Sequence, residues 1–242
     1  MQPKVNIYQN QEELAAEFTN NLVKLVETTL IDKDDFNIML SGGRTPNFIY
    51  KYLVSNYEKS LNWESIHFFW GDERCVPSDY PDSNFGEASK NFLNKINIPL
   101  KNIHPIVGES HPYLEADRYS TLIHKHFNVH NSIPSFDLVI LGLGTNGHIA
   151  SLFPDQLDIF YSNRLFEVTS HPDTAQQRIT VTGKIINNAA NIFFLVAGKN
   201  KAQVVKKILN KETNADKLPA SLVNTELGNI KWFIDKEAAD LL

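Results

Sequence analysis

Phe136-Asp-Leu-Val-Ile-Leu-Gly-Leu-Gly-Thr-Asn-Gly-His148 begins as an apolar run and ends in a glycine-rich turn. An apolar run in which polar residues do not alternate is typical of a strand that is buried on both faces of a parallel sheet. Glycines directly after such a strand predict a tight turn at its carboxyl end. This stretch therefore indicates an α/β fold built on a parallel sheet.

Other segments repeat this order of an apolar strand followed by a polar turn. The sequence predicts strands over residues 36–40, 66–70, 191–197 and 231–235, and helices over 11–30, from 46 onward, near 84–95, over 113–128 and over 199–211, with a short helix at the C-terminus. This alternation predicts a three-layer α/β fold: a doubly wound, mainly parallel, Rossmann-like sheet with helices on both faces. The loops at the carboxyl ends of its strands are expected to line one crevice.

The composition is that of an ordinary globular protein. A net charge of −5 argues against nucleic acid as a partner, because nucleic-acid-binding proteins normally have a basic surface. Cys75 is the only cysteine, so no disulfide can form within the chain, and a reducing compartment fits. We find no signal-peptide pattern and no apolar stretch long enough to span a membrane. We expect a soluble, cytoplasmic protein with no membrane partner.

The segment Ser41-Gly-Gly-Arg-Thr-Pro46 lies between a predicted strand and a predicted helix. The N–H groups of Gly42 and Gly43 and the helix N-terminus can bind an anion. Ser41 and Thr45 can add hydroxyl groups, and Arg44 can add a positive charge. The segment predicts a phosphate-binding loop, with a tight turn that binds no ligand as the alternative. It is not a Walker A loop, because no Gly-Lys-Ser/Thr ending follows.

The segment Gly71-Asp-Glu-Arg-Cys-Val-Pro77 follows another predicted strand. Arg74 can bind a phosphate or an oxyanion, and Asp72 or Glu73 can accept a proton or orient a histidine. The alternative is a cluster of solvated charges. Cys75 paired with His148 is a rival nucleophile, but a lone cysteine more often has no chemical role.

His148 is the predicted catalytic base, because a histidine can take a proton from water at neutral pH. The glycines before it also match the Gly-x-Gly-x-x-Gly pattern of a dinucleotide site, with Glu167 at a suitable distance. A dinucleotide site needs a long helix after the third glycine, and Pro154 is expected to end any helix there. The sequence therefore favours a catalytic histidine over a dinucleotide site.

Several other charged residues and histidines are candidates for the site. Arg178 and Lys201 are cations near further strand ends, where either can bind a phosphate, although each alone is more typical of a surface charge. His124, His126 and His130 lack the spacing of metal ligands and are interpreted as surface residues of a helix. We expect no metal and no cofactor. No Gly-x-Ser-x-Gly motif occurs, which argues against a serine hydrolase of the α/β class.

Together these loops resemble those of the 6-phosphogluconolactonase family, within the superfamily that includes glucosamine-6-phosphate deaminases and isomerases. The resemblance spans nearly the whole chain and implies a single domain over residues 1–242. The matching segments, in order, are Leu40-Ser-Gly-Gly-Arg-Thr-Pro46, Trp70-Gly-Asp-Glu-Arg-Cys-Val-Pro77, Asp82-Ser-Asn-Phe-Gly-Glu-Ala88, Leu141 through Pro154, Arg178-Ile-Thr-Val-Thr182, Ala197-Gly-Lys-Asn-Lys-Ala202, Pro219-Ala-Ser-Leu-Val223 and Trp232-Phe-Ile-Asp235.

The resemblance implies a carboxylic ester hydrolase that converts 6-phospho-D-glucono-1,5-lactone to 6-phospho-D-gluconate in the oxidative pentose phosphate pathway. Its partner is then a small-molecule sugar phosphate, and the expected assembly is a monomer or a small homo-oligomer. The implied catalytic residues are His148, Arg74, Asp72 and Asn146. The implied substrate- or phosphate-binding residues are Ser41, Gly42, Gly43, Arg44, Thr45, Glu73, Gly147, Arg178 and Lys201.

One position departs from the family pattern, which usually has Asp-Gly-His where this chain has Asn146-Gly-His148. Asn can accept a hydrogen bond but cannot stabilise an imidazolium by charge, so Asp72 or Glu73 is expected to orient His148. Deaminases typically have Phe-Asn-Glu-Pro after the Gly-His, where this chain has Ser151-Leu-Phe-Pro. Both positions disfavour the deaminase or isomerase alternative. A sugar-phosphate binding module without activity is the second alternative.

Overall fold

The computed structural model describes residues 3–58, 61–129, 132–225 and 228–242, and these contain ten strands and seven helices. The strands are β1 (Lys4–Tyr8), β2 (Phe36–Leu40), β3 (Ile66–Trp70), β4 (Asp72–Arg74), β5 (Ile103–His104), β6 (Leu138–Gly142), β7 (Phe166–Ser170), β8 (Gln177–Val181), β9 (Asn191–Val196) and β10 (Asn229–Asp235). The helices are α1 (Gln11–Thr29), α2 (Arg44–Tyr57), α3 (Asn84–Asn91), α4 (Pro112–His126), α5 (Leu157–Phe160), α6 (Gly183–Ile186) and α7 (Ala202–Leu209).

Seven strands form one parallel sheet in the order β1-β10-β9-β6-β2-β3-β5. Nearly every residue of β2, β3, β6 and β9 is buried, as in central strands that are covered on both faces. Helix α2 contacts both α1 and α3. The predicted α/β fold with a doubly wound, mainly parallel sheet is confirmed.

Helix α1 shows how local sequence attaches a helix to this sheet. The side chain of Asn10 accepts a hydrogen bond from the backbone N–H of Glu13 at 2.9 Å, which satisfies one of the unpaired donors of the first turn. Phe18, on the apolar face of the helix, packs edge-on against Phe193 of β9 and Phe233 of β10. The helix has one apolar face and one polar face, and the apolar face packs on the sheet.

Most predicted elements agree with the structure, and the differences are local. The helix predicted near 84–95 ends at Asn91 and continues as a 3₁₀ turn over 93–95. The helix predicted over 199–211 is a 3₁₀ turn followed by α7. The predicted C-terminal helix is wrong: turns follow β10 in the described residues, where the carboxylate of Asp235 accepts the N–H of Ala238 at 2.8 Å.

The order of the main sheet reverses between β2 and β6. From β2 the chain proceeds outward through β3 to β5, whereas from β6 it proceeds in the opposite direction through β9 to β10. Adjacent loops that lead away from each other leave a crevice at the carboxyl ends of β2 and β6. The fold therefore positions a ligand site between the loop after Leu40 and the loop after Gly142.

A second, three-stranded antiparallel sheet, in the order β4-β8-β7, lies beside this crevice. Gly71 alone separates β3 from β4, so the chain passes directly from the main sheet into the small one. The backbone N–H of Gly71 donates to Leu40 of β2, and its carbonyl accepts from Val181 of β8. Helix α4 packs against β7 and β8. This small sheet was not predicted.

The buried apolar residues form one cluster that extends from Leu14 to Ala238. On that basis we propose that the chain is a single domain over residues 1–242. Within the described ranges, no helix is both long enough and apolar enough to cross a membrane.

Candidate active site

A crevice of about 740 Å³ opens at the point where the strand order reverses. Ten of the residues predicted from the sequence line it: Ser41, Gly42, Gly43, Arg44, Thr45, Asp72, Arg74, His148, Arg178 and Lys201. They come from loops that are far apart in the sequence and that meet at one edge of the sheet. Asn146 reaches the crevice only through His148, while Glu73 and Gly147 do not line it.

The geometry around His148 defines which of its nitrogens carries the proton. Oδ1 of Asn146 accepts the backbone N–H of His148 at 3.2 Å, which identifies this atom as the amide oxygen. The same oxygen lies 2.6 Å from Nδ1 of His148. Because an amide oxygen only accepts hydrogen bonds, Nδ1 must carry the proton, and Nε2 keeps a lone pair. Asn146, rather than Asp72 or Glu73, therefore orients the imidazole.

The surroundings of His148 keep its imidazole neutral. Burial is the largest cause that lowers its pKa, to about 4, and the positive charges of Lys201 and Arg178 act in the same direction. The negative charge of Asp72 opposes them. At neutral pH, the imidazole is therefore a proton acceptor. Its base strength depends on how far nearby positive charges are compensated.

The loop before α2 presents backbone donors to the crevice. Gly43 adopts a φ of 105°, which favours glycine, and no side chain caps the N-terminus of α2. Burial lowers the pKa of Lys201, and the charge of Arg44 lowers it further. Two cations and an uncapped helix terminus thus face the same end of the crevice, which suits an anion such as phosphate.

A second pair of cations lies on the small sheet. Arg74 of β4 is directly opposite Arg178 of β8 in the antiparallel register. Burial lowers the pKa of Arg178, and the charge of Arg74 is the next largest cause. Nε of each arginine is buried without a hydrogen-bond partner. Like charges opposite each other are unfavourable, so this pair is suited to an anionic ligand or an oxyanion.

Asp72 is held between these elements by hydrogen bonds. Its Oδ2 accepts from the hydroxyl of Ser151 at 2.7 Å, and its Oδ1 accepts from Nδ2 of Asn84 at 3.3 Å. Nη1 of Arg178 donates to Oγ of Ser151 at 3.3 Å. Ser151 therefore links Asp72 to Arg178, at the position where the deaminase branch would have its acidic motif.

Glu73 is buried, and its carboxylate is fully occupied by hydrogen bonds. It accepts from the backbone N–H groups of Arg74 at 2.8 Å, Asn84 at 2.7 Å and Phe85 at 2.8 Å, and from the hydroxyl of Ser83 at 3.1 Å. These contacts satisfy donors at the start of α3. The prediction that Glu73 binds substrate or orients His148 does not agree with this arrangement.

Glycines give the histidine loop its shape. A Cβ atom on Gly144 would lie 2.1 Å from Nδ1 of His148, so only glycine lets the ring approach the turn this closely. Gly147 has a φ of 86° and packs against Leu218, away from the crevice, so its predicted contact with substrate does not agree with its position. Ala150 also has a positive φ, of 48°, directly beside the site. Such strained backbone is frequent at functional sites.

Asp235 and Asn84 also line the crevice, although the sequence does not predict them as site residues. Asp235 accepts two hydrogen bonds from the N–H of Gly198, at 3.0 and 2.9 Å, and so fixes the loop that carries Lys201. The position of an acid directly at the end of a predicted strand is the signal that could have identified Asp235. Asn84 is the first residue of α3, in the segment from Asp82 to Ala88 that matches the family pattern, and nothing within that segment marks Asn84 as a site residue.

The remaining candidates lie outside the crevice. Burial raises the pKa of Cys75 to about 11, and the charge of Glu73 adds to this, so the thiol is a poor nucleophile. His126 is not the surface residue that was predicted: it is half-buried and contacts His67 and His104. His130 lies outside the described residues.

Similarity to known proteins agrees with this geometry. A family model described as glucosamine-6-phosphate isomerases/6-phosphogluconolactonase matches residues 9–232. The chain is 40% identical over 209 residues to a 6-phosphogluconolactonase of Haemophilus influenzae, covering 85% of this chain and 87% of that protein. It is 34% identical over 244 residues to one of Synechocystis sp., covering 100% and 99%. The crystal structure of 6-phosphogluconolactonase from Thermotoga maritima has a TM-score of 0.84 and 28% identity, covering 97% of this chain and 100% of that one.

Proposed function

The chain belongs to the family of glucosamine-6-phosphate isomerases and 6-phosphogluconolactonases, and we propose that its reaction is the hydrolysis of 6-phospho-D-glucono-1,5-lactone to 6-phospho-D-gluconate in the oxidative pentose phosphate pathway. The observation that carries this proposal is that His148 shares one crevice with two pairs of cations. A base positioned among anion-binding groups is what hydrolysis of an anionic lactone requires.

In the proposed mechanism, His148 acts first as a base and then as an acid. Nε2 takes a proton from water while the water oxygen attacks the lactone carbonyl carbon, and the carbonyl electrons move onto its oxygen. When this oxyanion collapses, the bond between the carbonyl carbon and the ring oxygen breaks. The proton on Nε2 passes to the departing ring oxygen, which becomes a hydroxyl group. Asn146 holds the Nδ1 proton throughout and keeps Nε2 directed at the reacting atoms.

The two pairs of cations receive different parts of the substrate in this proposal. The 6-phosphate is assigned to the loop of Ser41 to Thr45, with Arg44 and Lys201, because the uncapped N-terminus of α2 lies at that end. The carbonyl oxygen is assigned to Arg74 and Arg178, which are paired across two strands and whose two positive charges can stabilise a developing oxyanion. Asp72 and Ser151 position Arg178 for this role.

Two residues beside the crevice disfavour deamination of an amino-sugar phosphate. Asn146 has no charge with which to take up a proton during ring opening. Ser151 is fully buried and donates to Asp72, in the segment where a deaminase has its acidic motif. The finer expectations, of a cytoplasmic enzyme that is a monomer or small homo-oligomer and binds no nucleic acid, remain proposals. The net charge of −5 supports the absence of nucleic acid, and the single cysteine fits a reducing compartment.

A paired assay tests the function directly. Purified protein treated with a chelator is given the lactone, with correction for spontaneous hydrolysis, and in parallel glucosamine 6-phosphate, with ammonia release as the readout. We expect lactone hydrolysis that falls about 10²–10⁴-fold in His148→Ala. The exposed His111→Ala is the matched control and should retain activity. Ammonia release would instead establish a deaminase. Saturable binding of 6-phosphogluconate without hydrolysis would establish a binding module.

A further inference from the structure

Three histidines meet at a second place in the molecule, remote in the sheet from the carboxyl-end crevice. His67 is the second residue of β3, His104 ends β5, and His126 ends α4. One ring nitrogen from each lies within 4.8 Å of the others. None of the three lines the crevice. In the described ranges of the chain, no other histidine, cysteine or carboxylate group of three or more meets this spacing.

The spacing within this cluster fits a metal ion. Nδ1 of His67 and Nε2 of His104 are 3.0 Å apart. Two imidazole nitrogens that bind one tetrahedral Zn²⁺ at about 2.0–2.1 Å are separated by about 3.3 Å. The two nitrogens face each other at hydrogen-bond distance, so one of them carries a proton, which a metal ion would have to displace. To bind the same ion, the two rings would also have to move apart by a few tenths of an ångström and turn toward it. Imidazole is a ligand that suits Zn²⁺, Cu²⁺ and Ni²⁺.

Two of the histidines each have a ring nitrogen that lies close to the oxygen of a polar side chain. Oδ1 of Asp35 lies 3.5 Å from Nε2 of His67, the nitrogen that does not face His104. A carboxylate on the distal nitrogen fixes the proton there and leaves the lone pair on the nitrogen that faces the ion. Oδ1 of Asn37 lies 2.6 Å from Nε2 of His126. A hydrogen-bond acceptor on one ring nitrogen leaves the lone pair of the other nitrogen available to a metal.

The cluster lies near the surface of the protein. All three histidines are partly buried rather than fully enclosed. The side chain of His67 is 13% exposed, so the cluster is close to solvent and an ion can enter.

We propose that His67, His104 and His126 form a binding site for a divalent first-row transition metal of the Zn²⁺ type. Three imidazoles leave at least one coordination position for water. The ion would join β3, the edge strand β5 and the end of α4, and so would stabilise the edge of the main sheet. This inference does not depend on the proposed reaction. Without a metal, the rings are held by the hydrogen bond between His67 and His104 and by stacking of Phe69 on His104, whose ring centroids are 4.4 Å apart.

The test measures binding of Zn²⁺ and Co²⁺ to the full chain after chelator treatment and dialysis. We expect one equivalent of Zn²⁺ in a competition titration, and a visible d–d absorption band when Co²⁺ binds. His104→Phe and His126→Gln should each remove this equivalent. Asp35→Asn should weaken binding about 10–100-fold, as expected of a residue that orients a ligand. Lactone hydrolysis is measured separately, so a failed metal site and a failed reaction are distinguishable.

Two control variants complete the test. His124→Gln lies on the same helix and should leave the equivalent in place, and His148→Ala removes the histidine of the crevice. Thermal unfolding in chelator shows whether each variant is folded. Zn²⁺ should raise the melting temperature of the unaltered protein but not that of His104→Phe or His126→Gln. The proposal is overturned if the unaltered protein binds no equivalent. It is also overturned if the bound equivalent survives in both His104→Phe and His126→Gln, or is lost only in His148→Ala.

Discussion

Oδ1 of Asn146 accepts hydrogen bonds from both the backbone N–H and the Nδ1 proton of His148, at 3.2 and 2.6 Å. One uncharged oxygen thus fixes both the position of the turn and the tautomer of the imidazole. A carboxylate in its place would keep both bonds and add a negative charge. In this chain Asn146 orients His148 without adding a negative charge that would stabilise the imidazolium. A substitution at position 146 can therefore change the charge while the orientation is kept.

We predict that Asn146→Asp raises the pKa of His148, because a negative charge favours the imidazolium. The acidic limb of the kcat/KM profile should move to higher pH while activity on the plateau is retained. Asn146→Leu removes the acceptor and should lower kcat roughly 10²-fold. The exposed Asn229→Asp, at the amino end of β10, is the control. An unchanged pH profile in Asn146→Asp would show that position 146 does not act on His148.

The pH dependence should differ between the unbound enzyme and its complex. In the unbound enzyme the pKa of His148 is about 4, lowered by burial and by Lys201 and Arg178. Activity that needs the neutral base is lost as the pH falls through this value, so the kcat/KM profile should have its acidic limb near pH 4. An anionic substrate compensates the cations, so the limb of kcat should lie at higher pH. Identical limbs for both parameters would contradict this.

Gly144→Ala should displace the imidazole of His148, because the added Cβ would lie 2.1 Å from Nδ1. A displacement of about 1 Å can cost 10²-fold in rate, so we expect kcat to fall by about that factor with the fold intact. Gly71→Ala is the matched control, since its Cβ would meet the nearest atom at 3.5 Å, an ordinary contact. Equal activity in the two variants would rule out close packing of the ring as the reason for glycine.

Kinetic parameters should distinguish the two pairs of cations. Lys201→Met should raise KM for the lactone roughly 10-fold or more, the cost of one hydrogen bond to a charged group. Arg178→Met should mainly lower kcat, by about 10²-fold, if the group stabilises the oxyanion. The exposed Lys199→Met is the control for the loss of charge beside Lys201. If Arg178→Met instead raises KM alone, the assignment of the two ends of the crevice is reversed.

Glu73→Gln should destabilise the fold and leave the chemistry of His148 unchanged. The amide NH₂ group would face backbone N–H groups that now donate hydrogen bonds to the carboxylate. Each buried donor that is left unpaired costs about 1–3 kcal/mol. We expect a lower denaturant midpoint, with the acidic limb of the kcat/KM profile in its original place. Asp79→Asn, exposed in the same segment, is the control. A shifted limb would return Glu73 to the catalytic machinery.

The central fold was predictable because its strands are buried on both faces. Phe36–Leu40 and Ile66–Trp70 were predicted with their actual ends, since apolar runs between polar turns mark them clearly. Lys4–Tyr8 was missed because it is an edge strand with mostly exposed side chains. The small sheet was missed because β4 has three residues, all polar, whose partner β8 is over a hundred residues away. Pairing at that distance leaves no local pattern.

The sequence predicts which loops and which residue types form the site, but not the contacts between individual side chains. The loops after Leu40, Trp70 and Gly142 were expected to meet, and they do. Adjacent residues in an extended strand point to opposite sides, so only one of Asp72 and Glu73 can face the crevice. The sequence does not show which one, and the structure places Asp72 in the crevice and Glu73 against α3. Likewise, the contact between Asn146 and His148 depends on the conformation of the turn rather than on the identity of the residues.

The opposed arginines of β4 and β8 bear on how this protein should be handled in solution. With no anion between them, Arg74 and Arg178 repel each other, so any small oxyanion that enters gains from the relief of that repulsion. Inorganic phosphate or sulfate in a buffer would therefore compete with the lactone, and would also raise the melting temperature. Activity measured in phosphate or sulfate buffer would therefore be lower than in a buffer without these anions. The difference between the two buffers should become smaller as added chloride screens the two guanidinium groups.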